Sequence, residues 1–470
     1  MPTETVPTLN LTPADVADLA DALHSYHATY GAFFSRSESR TRAERYVHGL
    51  LSPLPRKSAE PIVIAQLGAS DKAIRGMQQF LTDGTWDDVA ILRGHWQEVA
   101  VDLDDAEGML IVGGSDFPQK GRNSVGVKRQ YGGELGKIAN CQAGVFLAYA
   151  SAHGATLLDW RLSLPQEWLE DPTFAEWRAQ CRIPEEVTVQ TKHALALVMV
   201  QDVLASQRLR CRWFLADEAF GRDTDLLDAV DGLGLWYMVE VPLETALWGD
   251  DGASATTPQA LVRRLPGNAW TRHRIGAGTK GSRIAEVHVR RVRAQRDGQP
   301  GPEVWLILRL DPERGEQKAF LSNAPTTVTT TRLITVTGLC WLVEQIFEIA
   351  KQELGMGDDE VRSWPGWYHH MTLVTLAHFF LVRLQHRLKK VPMLTLPQVC
   401  LLLSVLLLLP ERTLEGVLEQ IAYYHRRHAA AETSHRERTE RWIANMENRL
   451  IPRPHCWSRP SRPEPVWHSF

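Results

Sequence analysis

The chain has 470 residues, 44% of them apolar and 23% charged, the balance of an ordinary folded protein of two to four domains. Intrinsic disorder, a collagen-like repeat and a small disulfide scaffold are excluded. With 52 Lys+Arg against 56 Asp+Glu the formal charge is −4, so affinity for a polyanion has to come from local charge.

The six cysteines stand singly with no CxxC pair, which writes neither a zinc knuckle nor a disulfide framework and points to a reducing compartment. Residues 1–21 lack a basic stretch followed by an apolar core, so no signal peptide is expected. The densest apolar run, Val399–Leu409, is broken by Ser404 and followed by Pro410, well short of the roughly 20 residues of a membrane span. It reads as a buried helix.

From Pro13 to about Leu51, apolar residues fall at helical spacing, and helices continue through Ile74–Phe80. Arg36, Arg40, Arg42 and Arg45 give this region a basic edge, which suits a solvated face or DNA contact alike. Near residue 108 the period becomes strand-like. Strands are expected at Met109–Val112, Ala143–Tyr149 and Ala155–Leu162, then a helix at Lys192–Ser206, a strand at Cys211–Ala216, a helix at Leu226–Leu233 and a strand at Leu235–Val241. That order fits a mixed sheet with covering helices.

Between Pro242 and about Thr331 come short alternating segments, such as Ile284–Val292 and Val304–Leu310, separated by Gly/Pro-rich turns. A β-rich insertion forming a small subdomain is expected. Leu333–Leu354 follows as one amphipathic helix. After residue 370 the chain is helical and Leu-rich, with 14 Lys+Arg against 8 Asp+Glu from Met371 to Phe470. Residues 451–470 read as a flexible tail.

Few residues advertise chemistry by themselves. Asp217 stands at the C-terminal end of a strand, where α/β folds meet metals and substrates, or it caps the next helix. Glu344, Glu348 and Lys351 share one helix face, because seven residues at about 100° each return to within about 20°; a salt-bridged solvent face has the same pattern. Adjacent His369 and His370 point about 100° apart on a helix and cannot simply serve one metal. Gly276–Gly281 matches neither nucleotide-binding glycine pattern. Trp270 suits core packing or stacking on an unpaired base.

A resemblance adds to this. Ser115-Asp116-Phe117-Pro118-Gln119-Lys120-Gly121, Ser124-Val125-Gly126-Val127-Lys128-Arg129-Gln130-Tyr131, Gly133-Glu134-Leu135-Gly136-Lys137 and Asn140-Cys141-Gln142 resemble the DDE-type bacterial insertion-sequence transposases, in particular the group with a DDE superfamily endonuclease domain. Leu164–Trp168, Ala216–Gly221, Glu360–Trp364, Gly366–Leu373 and, near the N-terminus, Gly49–Pro53 continue it, so it covers about residues 30 to 385.

The resemblance implies an RNase H-like fold: a mixed five-stranded sheet with helices, a β-rich insertion at 242–331, and helical N- and C-terminal regions. On that scheme 1–107 binds DNA, 108–241 and 332–370 form the catalytic core, and 371–450 is a helical region. It implies a transposase that binds terminal inverted repeats as a homodimer in the bacterial cytoplasm, at the nucleoid, then cleaves and joins double-stranded DNA. The reaction would use two Mg²⁺ or Mn²⁺ ions, which stabilise attacking and leaving oxygens from a set of carboxylates. Asp217 matches the second carboxylate and Glu344 the third, with Lys351 matching the lysine of the Tyr-Arg-Glu-Lys signature. Phosphate or base contacts are implied for Lys351, Lys280, Arg283, Trp270, Lys128 and Arg129.

The chain departs from the pattern at three places. Gly113 occupies the position of the first catalytic Asp, Cys340 that of the signature Arg, and Thr337 that of the signature Tyr. Glycine offers no ligand, and a thiol cannot replace a guanidinium fork. Asp116 is three residues along a strand and faces the other side of the sheet. A cleavage-impaired transposase is therefore expected, with an inactive DNA-binding regulator on the same scaffold as the alternative; a related nuclease acting on RNA or branched DNA is a weaker third.

Overall fold

The computed structural model describes residues 11–249, 254–278, 281–311, 315–388, 394–407 and 409–450. Two compact units divide the chain, Met1–Pro410 and Glu411–Phe470.

The first unit opens with helices α1 (Leu19–Tyr30), α2 (Ser37–Leu51), α3 (Ala59–Leu67), α4 (Asp71–Thr82) and α5 (Asp88–Leu103). Ser70 and Asp87 start α4 and α5 by accepting the N–H of Ala73 and Ala90, the usual remedy for orphan donors at a helix start. Strands β1 (Met109–Pro118), β2 (Lys128–Gly132), β3 (Lys137–Ser151) and β4 (Gly154–Ser163) follow, then α6 (Lys192–Ser206), β5 (Trp213–Ala216), α7 (Glu218–Gly221), α8 (Thr224–Gly232) and β6 (Trp236–Val241).

In the sheet, β1 pairs antiparallel with β3 and β3 antiparallel with β4, whereas β1, β5 and β6 run parallel. The order β4-β3-β1-β5-β6, with the second strand alone reversed against its two neighbours, is the RNase H-like arrangement. The centre is buried on both faces: Leu110, Ile111, Val112 and Phe214, Leu215, Ala216 are all at 0% exposure. Such strands read as continuous apolar runs, and each large aliphatic or aromatic side chain so buried contributes about 1.5–3 kcal/mol.

The insertion supplies β7 (Leu247–Trp248), β8 (Ala255–Thr256), β9 (Thr271–Gly278), β10 (Gly281–Arg296), β11 (Gln299–Asp311) and β12 (Glu316–Ser322). It is not a separate subdomain, contrary to the expectation from sequence. β12 pairs antiparallel with β6 through Ala319↔Val241, Phe320↔Glu240 and Leu321↔Val239. Core and insertion therefore share one twelve-stranded sheet, because the free edge of β6 is a template for another strand.

Beyond it lie α9 (Thr330–Thr337), α10 (Leu342–Leu354), α11 (Trp364–Arg387) and α12 (Leu396–Leu406). The single helix expected over Leu333–Leu354 is thus two, broken by turn residues 338–341. A Cβ at Gly338 would lie 1.9 Å from the Ile275 carbonyl oxygen, so the bend depends on a glycine. The expected boundary at residue 370 falls inside α11. That helix ties the N-terminal helices to the core: Tyr26 donates to the Leu376 carbonyl at 2.9 Å, Tyr46 Oη meets His370 Nδ1 at 2.9 Å, and His369 Nδ1 meets the Leu81 carbonyl at 2.7 Å. Both histidines are packing residues. In the second unit, α13 (Leu414–Leu450) exposes Leu414, Leu418, Ile421 and Trp442. The tail expected over 451–470 lies outside the described residues.

Candidate active site

Strand register brings the candidate positions together. Val112, Ala216 and Val239 are partners across β1, β5 and β6, so the next residues, Gly113, Asp217 and Glu240, stand side by side at the same level. Successive side chains alternate faces, which puts these three on the face opposite to their registered predecessors. A Cβ built on Gly113 points at α10, 2.9 Å from Val343 Cγ1 and 3.2 Å from Phe347 Cε2. Glu344 follows Val343 in the first turn of α10, over the same strand ends.

Asp217 is both of the things its sequence position allowed. It is the N-cap of α7, its Oδ1 accepting the N–H of Ala219 at 2.9 Å and of Phe220 at 3.3 Å. At the same time it lies within electrostatic reach of Glu240 and Glu344. Burial raises its carboxyl above the usual range; the two N–H bonds oppose that and the charges of Glu240 and Glu218 add to it. Gly221 seats the turn: a Cβ there would be 2.0 Å from the Glu240 carbonyl oxygen. Desolvation also raises Glu344, against the pull of Lys318, with Asp217, Glu240 and Glu134 contributing like charge.

Glu240, Lys318 and Glu134 were not singled out by sequence reasoning. Lys318 on β12 donates to Glu240 Oε2 at 2.9 Å, a contact fixed by the β6–β12 pairing, which no local pattern announces. Glu134 lies inside one of the motifs that carry the resemblance, but its partners are distant in sequence. Its Oε2 accepts Lys351 Nζ at 2.5 Å, Ser115 Oγ at 3.0 Å and the Asp116 N–H at 3.3 Å. Burial opposes its ionisation, yet the Lys351 bond and charge, with those donors, hold the carboxyl below its ordinary range.

This clasp settles two other positions. Asp116 turns its carboxylate to the Glu134 N–H at 3.3 Å and does not stand in for a carboxylate at Gly113. Lys351, expected at phosphate, is held by Glu134 and by the Asp116 carbonyl at 3.2 Å. Cys340 is buried with Sγ 3.7 Å from the Met238 carbonyl, and burial, with Glu240 adding, pushes its thiol up to about 12. It is a packed neutral thiol.

The remaining expected contacts are dispersed. Lys128 is paired with Glu167 at 2.6 Å, and Arg129 is exposed on β2. Trp270 is half-buried, its ring 6.1 Å from that of His288. Arg283 lies over the Trp341 ring at 5.5 Å, which brings the insertion to the turn before α10. Lys280 lies outside the described residues.

A divalent-ion centre needs several oxygen ligands converging on one point. Asp217 and Glu344 are of the right type, but Gly113 supplies nothing and Glu240 is engaged by Lys318. Among the described residues no three His, Cys, Asp or Glu side chains come together as metal ligands. The residues present do not fit a two-ion centre.

In comparisons with known proteins, the family model described as DDE superfamily endonuclease matches residues 29–297. Among curated proteins none matches the chain. Of solved structures, piggyBac transposase in a synaptic complex with hairpin DNA superposes with a TM-score of 0.40 at 12% identity, covering 85% of this chain and 82% of that one.

Proposed function

Because the chain belongs to the DDE superfamily endonucleases, we propose that it is a transposase-type protein that binds DNA ends, with strand cleavage impaired by the loss of the first carboxylate at Gly113. The observation that carries this reading is the level set of positions 113, 217 and 240 beneath Glu344. The strand register that would align a set of carboxylates is kept, and one of its positions carries no side chain. Metal electrostatics supplies most of the barrier lowering in such phosphoryl transfers, so a missing ligand costs several orders of magnitude in rate.

Partner and assembly follow from the same reading: duplex DNA carrying terminal inverted repeats, held by a homodimer. The second reading, a regulator that occupies such ends without cutting, is favoured by Glu240 and Lys351 both being tied up in ion pairs. Both readings predict specific binding, and cutting separates them.

The test incubates the full chain with labelled DNA carrying the terminal repeats of its own element, with Mg²⁺ or Mn²⁺. Sequence-specific retention with cleavage at background is expected. Rapid cutting by the unaltered chain would remove the claim of impairment, and equal affinity for scrambled ends would remove the DNA-end reading.

A further inference from the structure

We infer that the carboxylate cluster at the ends of β1, β5 and β6 is balanced by a lysine of this chain, Lys318, in place of a divalent cation, and that restoring the carboxylate at Gly113 alone does not rebuild a metal centre. This rests on the preceding reading only for its DNA arm; the metal arm stands by itself.

The volume that a side chain at residue 113 would enter is already filled. Val343 Cγ1 and Cγ2 lie 2.9 and 3.2 Å from the place of a Cβ and Phe347 Cε2 lies at 3.2 Å. Valine is short and stiff at χ1, so it cannot swing a distal atom aside as a long chain would. Val343 and Phe347 are themselves buried in the apolar face of α10, at 2% and 4% exposure, with Phe347 packed edge-on against Phe146 at 5.2 Å. An Asp at 113 would therefore meet packed hydrocarbon before it reached Glu344.

Charge completes the picture. Glu240 stands beside Asp217 on the adjoining strand, and Lys318 Nζ is 2.9 Å from its carboxylate. Lys318 is anchored on β12 within the continuous sheet, its backbone registered with Arg309 of β11, so the fold places the residue next to Glu240, which its half-buried side chain reaches. An ammonium in this place neutralises part of the acidic cluster and repels an incoming divalent ion. The second lysine of the region, Lys351, is likewise spent on Glu134 at 2.5 Å. Glu240 and Glu134 thus each have a lysine of this chain as counter-ion.

The experiment measures Mn²⁺ binding to the full-length protein by the electron paramagnetic resonance signal of free Mn²⁺, without DNA. The unaltered chain and G113D are expected to show no saturable binding below millimolar Mn²⁺. The triple variant G113D/V343A/K318Q is expected to gain at least about tenfold in affinity. Saturable binding by the unaltered chain that is lost in D217N or E344Q overturns the inference, as does a site created by G113D alone. Should the triple variant not fold, those two arms still decide. In parallel, DNA-end affinity measured at matched ionic strength is expected to change less than about twofold between EDTA and Mg²⁺. Metal-dependent DNA affinity would count against the inference, whereas absence of DNA binding with the Mn²⁺ results as expected would overturn only the DNA-end reading.

Discussion

Asp217 shows how one carboxylate can satisfy the backbone and still face other carboxylates. Its Oδ1 accepts two N–H groups at the start of α7, and an N-cap of this kind contributes about 1 kcal/mol. Asn caps as well as Asp does, so the two roles can be taken apart. D217A is expected to lower unfolding free energy by about 1 kcal/mol, while D217N is expected to be neutral or slightly stabilising, since it also removes like charge facing Glu240 and Glu344. Urea denaturation of both variants checks this, and equal losses would show that the cap is not the operative bond. Asp217, Glu344 and Gly113 were singled out in the sequence through the family resemblance, since the residues by themselves fitted a helix cap and a solvent-exposed helix face equally well. Glu240 and Lys318 were not, since their pairing exists only once β12 docks on β6, and strand partnership across some eighty residues leaves no local periodicity. Val343 was legible as an apolar helix residue, but which strand position it covers was not.

At the scale of elements, the break between α9 and α10 was hidden for a physical reason. Turn residues 338–341 span about one helical turn, so the apolar stripe keeps its phase across the break and periodicity alone reports one helix. The constraint is steric, at a residue with no side chain. G338A is expected to cost at least about 2 kcal/mol, because the Ile275 carbonyl would have to move, and to lower the thermal midpoint by several degrees; a midpoint unchanged from the parent would mean that the bend does not depend on glycine. The central strands, by contrast, were found, since a doubly buried β1 and β3 announce themselves as apolar runs, but not their ends: β1 runs on to Pro118, β3 spans Lys137–Ser151, and the more polar β2 was not expected.

A second consequence belongs to α11. Burial lowers His369 to about 4 and His378 to about 3, and does the same to His95 of α5, to about 4. A base whose folded value lies below its unfolded one is neutral in the fold, so its contribution is present above about pH 6.5 and is lost as pH falls towards the folded value. Asp159, raised by burial to about 6 against the opposing charge of Arg161, works the other way: its contribution is full below its unfolded value and lost as pH rises through about 6. Asp217 and Glu344, also raised by burial, act in the same sense as Asp159, but the three strongly lowered histidines outweigh these carboxyls. Unfolding free energy is therefore expected to fall by several kcal/mol from pH 7 to about 4.5, and H378Q is expected to flatten that slope. A flat or rising profile on acidification would contradict the burial of these rings.

For the whole molecule, a net charge of −4 conceals a partition. Residues 242–331 carry 13 Lys+Arg against 9 Asp+Glu, which leaves 39 against 47 elsewhere. The excess is displayed on the β9–β10 ribbon, where Arg272 and Arg274 are exposed and Arg283 lies over Trp341, at the turn that leads into Glu344. The family match runs to residue 297 and so takes in this ribbon. A strip of this kind would hold duplex phosphates while the acidic remainder repels them, orienting DNA towards the ends of β1, β5 and β6. Binding by phosphate contacts releases counterions, and log affinity then falls linearly with log salt by about 0.9 per contact. Replacing Arg272, Arg274 and Arg283 together with Ala is expected to reduce that slope by about 2 to 3, lowering affinity for cognate and scrambled duplexes alike, since phosphate contacts carry no sequence information. Fluorescence anisotropy across a salt series gives the slope directly. An unchanged slope would place the DNA on another face of the molecule; a loss confined to the cognate sequence would mean that these arginines read bases.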